Sequence, residues 1–177
     1  TQENNNNPIS IGAHTLYGDY PPKIAESETK PVTGSGEIVL SRVVVPEYVI
    51  VHDGPPSDSS ANNYYERYRD YIKNVASSEI YSTWPEEAIK ANILAEISFA
   101  LNRVYSEWYP AMGYDFDITN NTAFDQAFVS GRSYFDNVSR LVDELFNDYL
   151  RRPGFVEPLA AKFCNGTTVT CDGLSQW

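Results

Sequence analysis

Glu79 is the residue of this sequence best placed for acid–base chemistry. It falls on the apolar face of a predicted helix, whose members recur at spacings of three and four: Tyr68, Tyr71, Ile72, Val75, Ala76 and Ile80. Partial burial and the negative end of the helix dipole would both raise the pKa of a carboxyl group at this position. A carboxyl group that keeps its proton near neutral pH can act as a general acid. Spacing alone also fits a solvated Glu79 at a frayed helix end.

A second predicted helix follows Glu79 closely and would hold it in place. The run Thr83-Trp84-Pro85-Glu86 has the pattern of a capping box, in which the Thr hydroxyl and the Glu carboxylate satisfy free backbone N–H groups. Pro85 suits the first turn of such a helix. An apolar ridge then predicts about six helical turns: Ile89, Ile93, Ile97, Leu101, Val104 and Trp108.

Two blocks of residues at this joint carry a family resemblance. They are Val75-Ala76-Ser77-Ser78-Glu79-Ile80 and Trp84-Pro85-Glu86-Glu87-Ala88-Ile89-Lys90-Ala91. Together they resemble the hallmark of the stage II sporulation protein D family of peptidoglycan lytic transglycosylases. The resemblance implies that Glu79 is the catalytic acid and that the protein acts on peptidoglycan glycan strands.

Later blocks keep the order of the same family. Phe116-Asp117-Ile118, and then Asp125-Gln126-Ala127-Phe128 with Gly131, resemble its middle segment. Gly173-Leu174-Ser175-Gln176-Trp177 resembles the start of its terminal signature, so the resemblance covers roughly residues 68 to 177. By family position Gln126, Ser175 and Gln176 are expected to be substrate-binding neighbours of the acid.

The chain also departs from the family pattern. Ile97 stands where the family often carries an Arg, and Asn92 stands where it often carries a Gln. The run Lys162-Phe163-Cys164-Asn165-Gly166-Thr167 has no His nearby, whereas some members bind zinc before the terminal signature. The chain ends at Trp177, so we expect a divergent member that is incomplete at its C-terminus.

Aromatic residues supply two further candidates. Tyr81 and Trp84 flank Glu79, and aromatic faces suit sugar rings, so both are candidate substrate-binding residues. Aromatic side chains are equally common as core residues, and that alternative stays open.

Composition limits the partners. The chain has 177 residues and a net charge of −11, which argues against nucleic acid because phosphate binding needs clustered Lys and Arg. The negative charge of the chain also disfavours binding to anionic membranes. The sequence has no run of about 18 apolar residues, so it predicts no segment that inserts into a membrane. An uncharged polymer such as a glycan strand remains compatible.

The predicted organisation is an N-terminal arm followed by one domain. Residues 1–36 are rich in Asn, Pro, Glu, Ser and Thr, which favours a flexible arm or linker. Residues 37–177 are expected to form a single lytic-transglycosylase-like domain. Its fold class is α+β, with helices near 66–80, 84–108 and 125–150 and short strands near 38–52 and 157–171.

Other chemistry has less support. Cys164 and Cys171 are the only cysteines and enclose six residues, which fits a disulfide, although two free thiols or a zinc site stay open. His14 and His52 lie far from them in sequence, and there is no Gly-x-Ser-x-Gly motif for a serine hydrolase. Asp115 and Asp117 lack the Gly and Glu of a calcium loop. We expect neither a metal nor a cofactor.

Two functions remain from the sequence. The first is an extracytoplasmic lytic transglycosylase, located in the cell wall or secreted, that leaves 1,6-anhydro ends on peptidoglycan. The second is a catalytically inactive structural or glycan-binding module of an extracellular assembly. In that case the N-terminal arm would join neighbouring subunits, for example in a homo-oligomer.

Overall fold

The computed structural model describes residues 43–161 in full, together with the backbone of three short strands at 9–11, 163–164 and 174–175. Within these residues short strands and helices are interspersed along the chain. The predicted α+β class is therefore confirmed.

A four-stranded sheet forms one layer. β2 and β3 pair antiparallel, β4 runs parallel to β2, and β1 pairs antiparallel with β3, so the predicted arm contributes a strand. The spatial order is β1-β3-β2-β4. The strands are β1 (Ile9–Ile11), β2 (Tyr48–His52), β3 (Asn63–Arg67) and β4 (Ile118–Thr119).

β3 lies where the sequence was expected to lead directly into the first helix. Its Tyr64 and Tyr65 suit a strand, because aromatic residues fit a half-buried pleated surface. The pairing also satisfies the backbone groups along one edge of β2. The Tyr48 and Tyr65 rings stack across the two strands, with centroids 4.5 Å apart.

Three helices complete the described core: α1 (Tyr68–Glu79), α2 (Glu86–Tyr105) and α3 (Asp136–Leu145). The whole predicted apolar face of α1 is buried, which confirms that assignment. Thirteen of the twenty residues of α2 are buried, so α2 is a core helix covered on nearly all sides. Trp108, the last residue of the predicted ridge, lies beyond the end of α2 and is 44% exposed.

The predicted capping box at the start of α2 is wrong. The N-cap residue is Pro85, with a ψ angle of 140°, and no side chain caps the helix. Thr83 lies two residues before this N-cap, too early for its hydroxyl to reach the first N–H groups of α2. Glu86 instead pairs with Lys90 and with Arg140 of α3, at 3.6 and 3.2 Å.

The third helix is shorter than predicted. α3 spans only 136–145, and the preceding residues 126–135, here called the covering segment, are not helical. Gly131 has a φ of +76°, which ends any regular helix there. Phe135, the N-cap residue of α3, is 44% exposed.

The core lies between the sheet and the three helices. Val49 and Val51 of β2 pack against the helices, whereas Ile50 points to the opposite face and packs with Tyr109 and Phe116. β2 is therefore buried on both faces and anchors the fold.

The C-terminal part contains a two-stranded parallel sheet of β5 (Phe163–Cys164) and β6 (Leu174–Ser175). β5 lies within the predicted strand region near 157–171, and β6 lies just beyond it. No helix among the described residues is long and apolar enough to cross a membrane. The division of the chain at residues 36 and 37 stays a prediction.

Candidate active site

Glu79 is the last residue of α1 and is only partly exposed. Its Oε1 accepts a hydrogen bond of 2.8 Å from the backbone N–H of Ala127 in the covering segment. Its Oε2 is buried. Burial raises the pKa of Glu79 above its ordinary value, although the Ala127 hydrogen bond opposes the shift. The negative end of the α1 dipole favours the protonated form as well.

Glu96 lies opposite Glu79, in the middle of α2, and is fully buried. The two carboxyl groups lie close enough to interact directly, so a proton held by one could bridge them. Apart from this contact, Glu79 Oε2 and both carboxyl oxygens of Glu96 have no hydrogen-bond partner among the described residues. Burial, followed by the charge and hydrogen bond of Glu79, raises the pKa of Glu96 well above its ordinary value.

Glu79 and Glu96 differ in burial and in the hydrogen-bond donors that they receive. Two carboxylates in contact cannot both be ionised at low cost, so the pair retains protons at pH values where isolated Glu residues lose them. Glu96 is the more buried member and receives no other donor. Glu79 is the member that a ligand can approach, because only its residue surface is partly open. The arrangement can therefore supply a proton through Glu79.

A buried amide holds the backbone around this pair. The Tyr71 hydroxyl donates to Gln126 Oε1, and Gln126 Nε2 donates to the backbone carbonyl of Glu96, both at 2.9 Å. Gln126 thus links α1, α2 and the covering segment at one point. Because its amide is engaged within the protein, its contribution to the site is to fix geometry.

Side chains of α1 also hold the covering segment. Asn74 donates to the carbonyl oxygen of Val129 at 2.7 Å and accepts from the N–H of Val129 at 2.9 Å. Ser77 Oγ accepts from the N–H of Phe135 at 3.3 Å. The backbone of the covering segment therefore bonds to α1 instead of forming the predicted helix.

A second buried acid stands immediately before the covering segment. Asp125 accepts hydrogen bonds from Arg103 Nε at 2.8 Å, from the Tyr109 hydroxyl at 2.6 Å, and from both the N–H and the hydroxyl of Thr119 at 3.0 and 2.8 Å. These four residues are called the Asp125 cluster below. The Asp125 cluster anchors the loop that delivers Gln126 and Ala127 to the Glu79–Glu96 pair.

Comparison with known proteins agrees with this part of the molecule. A family model described as stage II sporulation protein matches residues 62–145, which include α1, α2, the covering segment and α3. The region of residues 62–145 is therefore a domain of this family. Comparisons with curated proteins and with solved structures find no match.

Within the matched region, the aromatic candidates differ in exposure. Tyr81 is 62% exposed, whereas Trp84 is partly buried against the core. Their ring centroids lie 5.7 Å apart, so they form one aromatic edge two to five residues after Glu79. Tyr81 offers the open ring face and Trp84 supports it.

The remaining candidates lie in the C-terminal part. Ser175 belongs to β6, where only the backbone is described, and Gln176 lies outside the described residues. The disulfide expected between Cys164 and Cys171 cannot be placed either, because Cys171 lies outside the described residues. These assignments stay predictions.

Residues considered for metal binding have other contacts. Asp117 Oδ2 accepts from the N–H of Ile50 at 2.9 Å, and Asp115 accepts from the Asn63 side chain at 3.2 Å. His52 is buried in β2, hydrogen-bonded through Nδ1 to Asn63 and stacked on Phe116. Across the described part of the chain, no three His, Cys, Asp or Glu side chains group to hold a metal ion.

Glu96 is the functional residue that the sequence analysis missed. A signal was present, because Glu96 falls three residues after Ile93 and directly before Ile97 on the apolar ridge. A carboxyl group on a helix that is buried on nearly all sides needs a partner. The spacing pattern alone does not say that this partner is Glu79.

Proposed function

We propose that this protein is a lytic transglycosylase that cleaves peptidoglycan glycan strands without water. The observation that carries the proposal is the environment of Glu79: a partly exposed residue at the end of α1 whose carboxyl pKa is raised by burial. No described cation pairs with Glu79, so only the Ala127 N–H and the contact with Glu96 oppose the rise of its pKa. The match of residues 62–145 to the stage II sporulation protein family supports the assignment.

The reaction needs only one carboxyl group at the reacting atoms. Glu79 gives its proton to the glycosidic oxygen as the bond between that oxygen and C1 breaks. The oxygen of the sugar's own 6-hydroxyl then bonds to C1, and the Glu79 carboxylate takes the hydroxyl proton. The proton count returns to its starting value and a 1,6-anhydro ring forms. No water must be activated on the opposite face, in contrast to an inverting hydrolase.

The test is product analysis on purified glycan strands with the full chain and with E79Q. We expect 1,6-anhydro ends from the unchanged protein, without ¹⁸O incorporation from labelled water. The rate should fall by about 10²–10⁴-fold in E79Q, since the acid is lost. E87Q is the matched control, because Glu87 is exposed on the first turn of α2 and pairs only with Lys90. Equal anhydro-product formation by E79Q and E87Q would disprove the mechanism.

One observation favours the inactive, glycan-binding alternative. Oε1 of Glu79 is engaged by Ala127 and Oε2 is buried against Glu96, so the covering segment lies close to the acid. Two cavities among the described residues, of about 790 and 260 Å³, do not include Glu79 in their lining. A glycan would then rest on the exposed ring of Tyr81 without being cut.

Co-sedimentation with insoluble peptidoglycan separates the two functions. In the binding module, the unchanged protein and E79Q bind equally and neither releases anhydro products, whereas Y81A binds more weakly. Release of anhydro products by the unchanged protein would exclude the inactive alternative. Y81A is a suitable probe because the side chain is 62% exposed and its removal leaves the core intact.

A further inference from the structure

Glu96 presents an unusual combination of burial and chemistry. It is a carboxyl group with no exposed surface, on a helix buried on nearly all sides, and no described cation pairs with it. Its carboxyl oxygens face only the carboxyl group of Glu79. A buried polar group without a function costs stability, and an apolar side chain would fit this environment better.

Two carboxyl groups in contact can form a hydrogen bond only when one of them holds a proton. Glu79 receives the N–H of Ala127, which stabilises its ionised form, whereas Glu96 receives no donor from the described residues. The carboxyl group with fewer donors and more complete burial holds its proton more strongly. Glu96 is therefore the donor of this hydrogen bond, and Glu79 is the acceptor.

The other ionisable groups around the pair do not replace this donor. On α1, the Tyr71 hydroxyl is committed to Gln126, and the Tyr68 hydroxyl has no partner among the described residues. In the loop before the covering segment, Asp125 is paired with the guanidinium group of Arg103. No described Lys or Arg reaches Glu79 or Glu96, so a neutral acid is the available stabiliser.

We infer that Glu96 is a positioning residue that stays a carboxylic acid and donates a hydrogen bond to Glu79. The donor stabilises the carboxylate that Glu79 becomes when it gives its proton to a leaving group. Together with the N–H of Ala127, it provides two donors aimed at the charge that develops on Glu79. The role in catalysis rests on the proposed function, whereas the hydrogen bond and its proton do not.

The decisive experiment is an NMR titration of the Glu side-chain carboxyl carbons in the free protein, compared with E96Q and E96L. The amide of E96Q can still donate to Glu79, whereas E96L cannot. We expect the pKa of Glu79 to stay within about half a unit of its original value in E96Q and to rise by about one unit or more in E96L. A fall of the Glu79 pKa in both variants would overturn the inference, because it would mean that Glu96 is an anion.

The unchanged protein provides a second measurement that does not depend on the folding of E96L. The Glu96 signal, identified by its loss in E96Q, should titrate at higher pH than the Glu79 signal. A Glu96 that titrates at or below the pH of Glu79 would contradict the inference. Neither titration uses a substrate. An inactive wild-type protein would therefore disprove the proposed function without affecting the test of the hydrogen bond between Glu96 and Glu79. Where cleavage is observed, the pH profile of E96L should move upwards with the Glu79 pKa.

Discussion

Asp125 and the Glu79–Glu96 pair are buried acidic groups beside the same short loop. They differ in how many hydrogen-bond donors and cations surround them. Asp125 is surrounded by four donors, one of them the guanidinium of Arg103. The Glu79–Glu96 pair receives one backbone N–H from outside the pair, and no described cation. Asp125 and Gln126 are adjacent in sequence, so one loop serves both regions.

This difference in hydrogen bonding distinguishes a structural acid from acids that can take part in proton transfer. A fully satisfied charge in the interior fixes the groups around it and resists any change of protonation. A poorly satisfied pair keeps its protons at unusual pH and can exchange them with a ligand. The Asp125 cluster therefore acts as the anchor, and the Glu79–Glu96 pair is the group held ready for acid–base chemistry.

The largest effect is expected from breaking the anchor. D125N removes the charge that compensates the buried Arg103 and places an amide among four donors, so it should cost about 3–5 kcal/mol of unfolding free energy. The matched control is D143N, because Asp143 is exposed and contacts Arg69 and Lys73 at the surface, where such pairs contribute less than about 1 kcal/mol. Urea unfolding measures both. Equal losses would show that Asp125 is not an anchor.

A smaller loss is expected from releasing the covering segment. N74A removes both hydrogen bonds to the backbone of Val129, which at about 0.5–1.5 kcal/mol each should cost about 1–3 kcal/mol. N147A, at an exposed position, should leave stability unchanged. Hydrogen exchange at the Ala127 and Val129 amides should quicken in N74A more than exchange in the centre of α2. Uniform quickening would indicate global destabilisation instead.

E96L should act in the opposite direction from D125N. Replacing an unsatisfied carboxyl group by an apolar side chain of similar size removes a desolvation cost, so the protein should be unchanged or up to about 2 kcal/mol more stable at neutral pH. Urea unfolding at pH 7 checks the sign. A loss comparable to that of D125N would show that Glu96 is a structural group and would remove the contrast between the two regions.

The smallest expected effect is a change in how steeply the unfolding free energy varies with pH. Because the pKa of Glu96 is raised in the folded protein, its stabilising contribution is present below the ordinary Glu value of 4.5 and is lost as pH rises. Unfolding free energy should therefore fall with pH more steeply in the unchanged protein than in E96Q, in which the pKa of Glu79 is expected to stay nearly the same. Glu66, whose pKa burial raises to about 8, adds the same slope to both proteins. Parallel curves would contradict the expected proton on Glu96.

The spacing of apolar residues predicted those parts of the fold that depend on residues close together in the sequence. The apolar face of α1, the long core helix α2 and the position of Glu79 at the end of a helix all follow from spacings of three and four. The covering segment was predicted as helix and is not, because its backbone groups bond to Asn74, Ser77 and Glu79 of a distant helix. Tertiary hydrogen bonds overrode the local preference.

By itself the sequence determined the class of the fold and the one residue to consider as an acid, since both depend on side chains a few positions apart. Only the tertiary structure decided that Glu96 faces Glu79, seventeen residues further along the chain. It also decided that Asp125 is neutralised while the pair is not. The physical reason is that burial and hydrogen-bond partners, which set the protonation of a carboxyl group, are properties of the packed interior and not of sequence spacing.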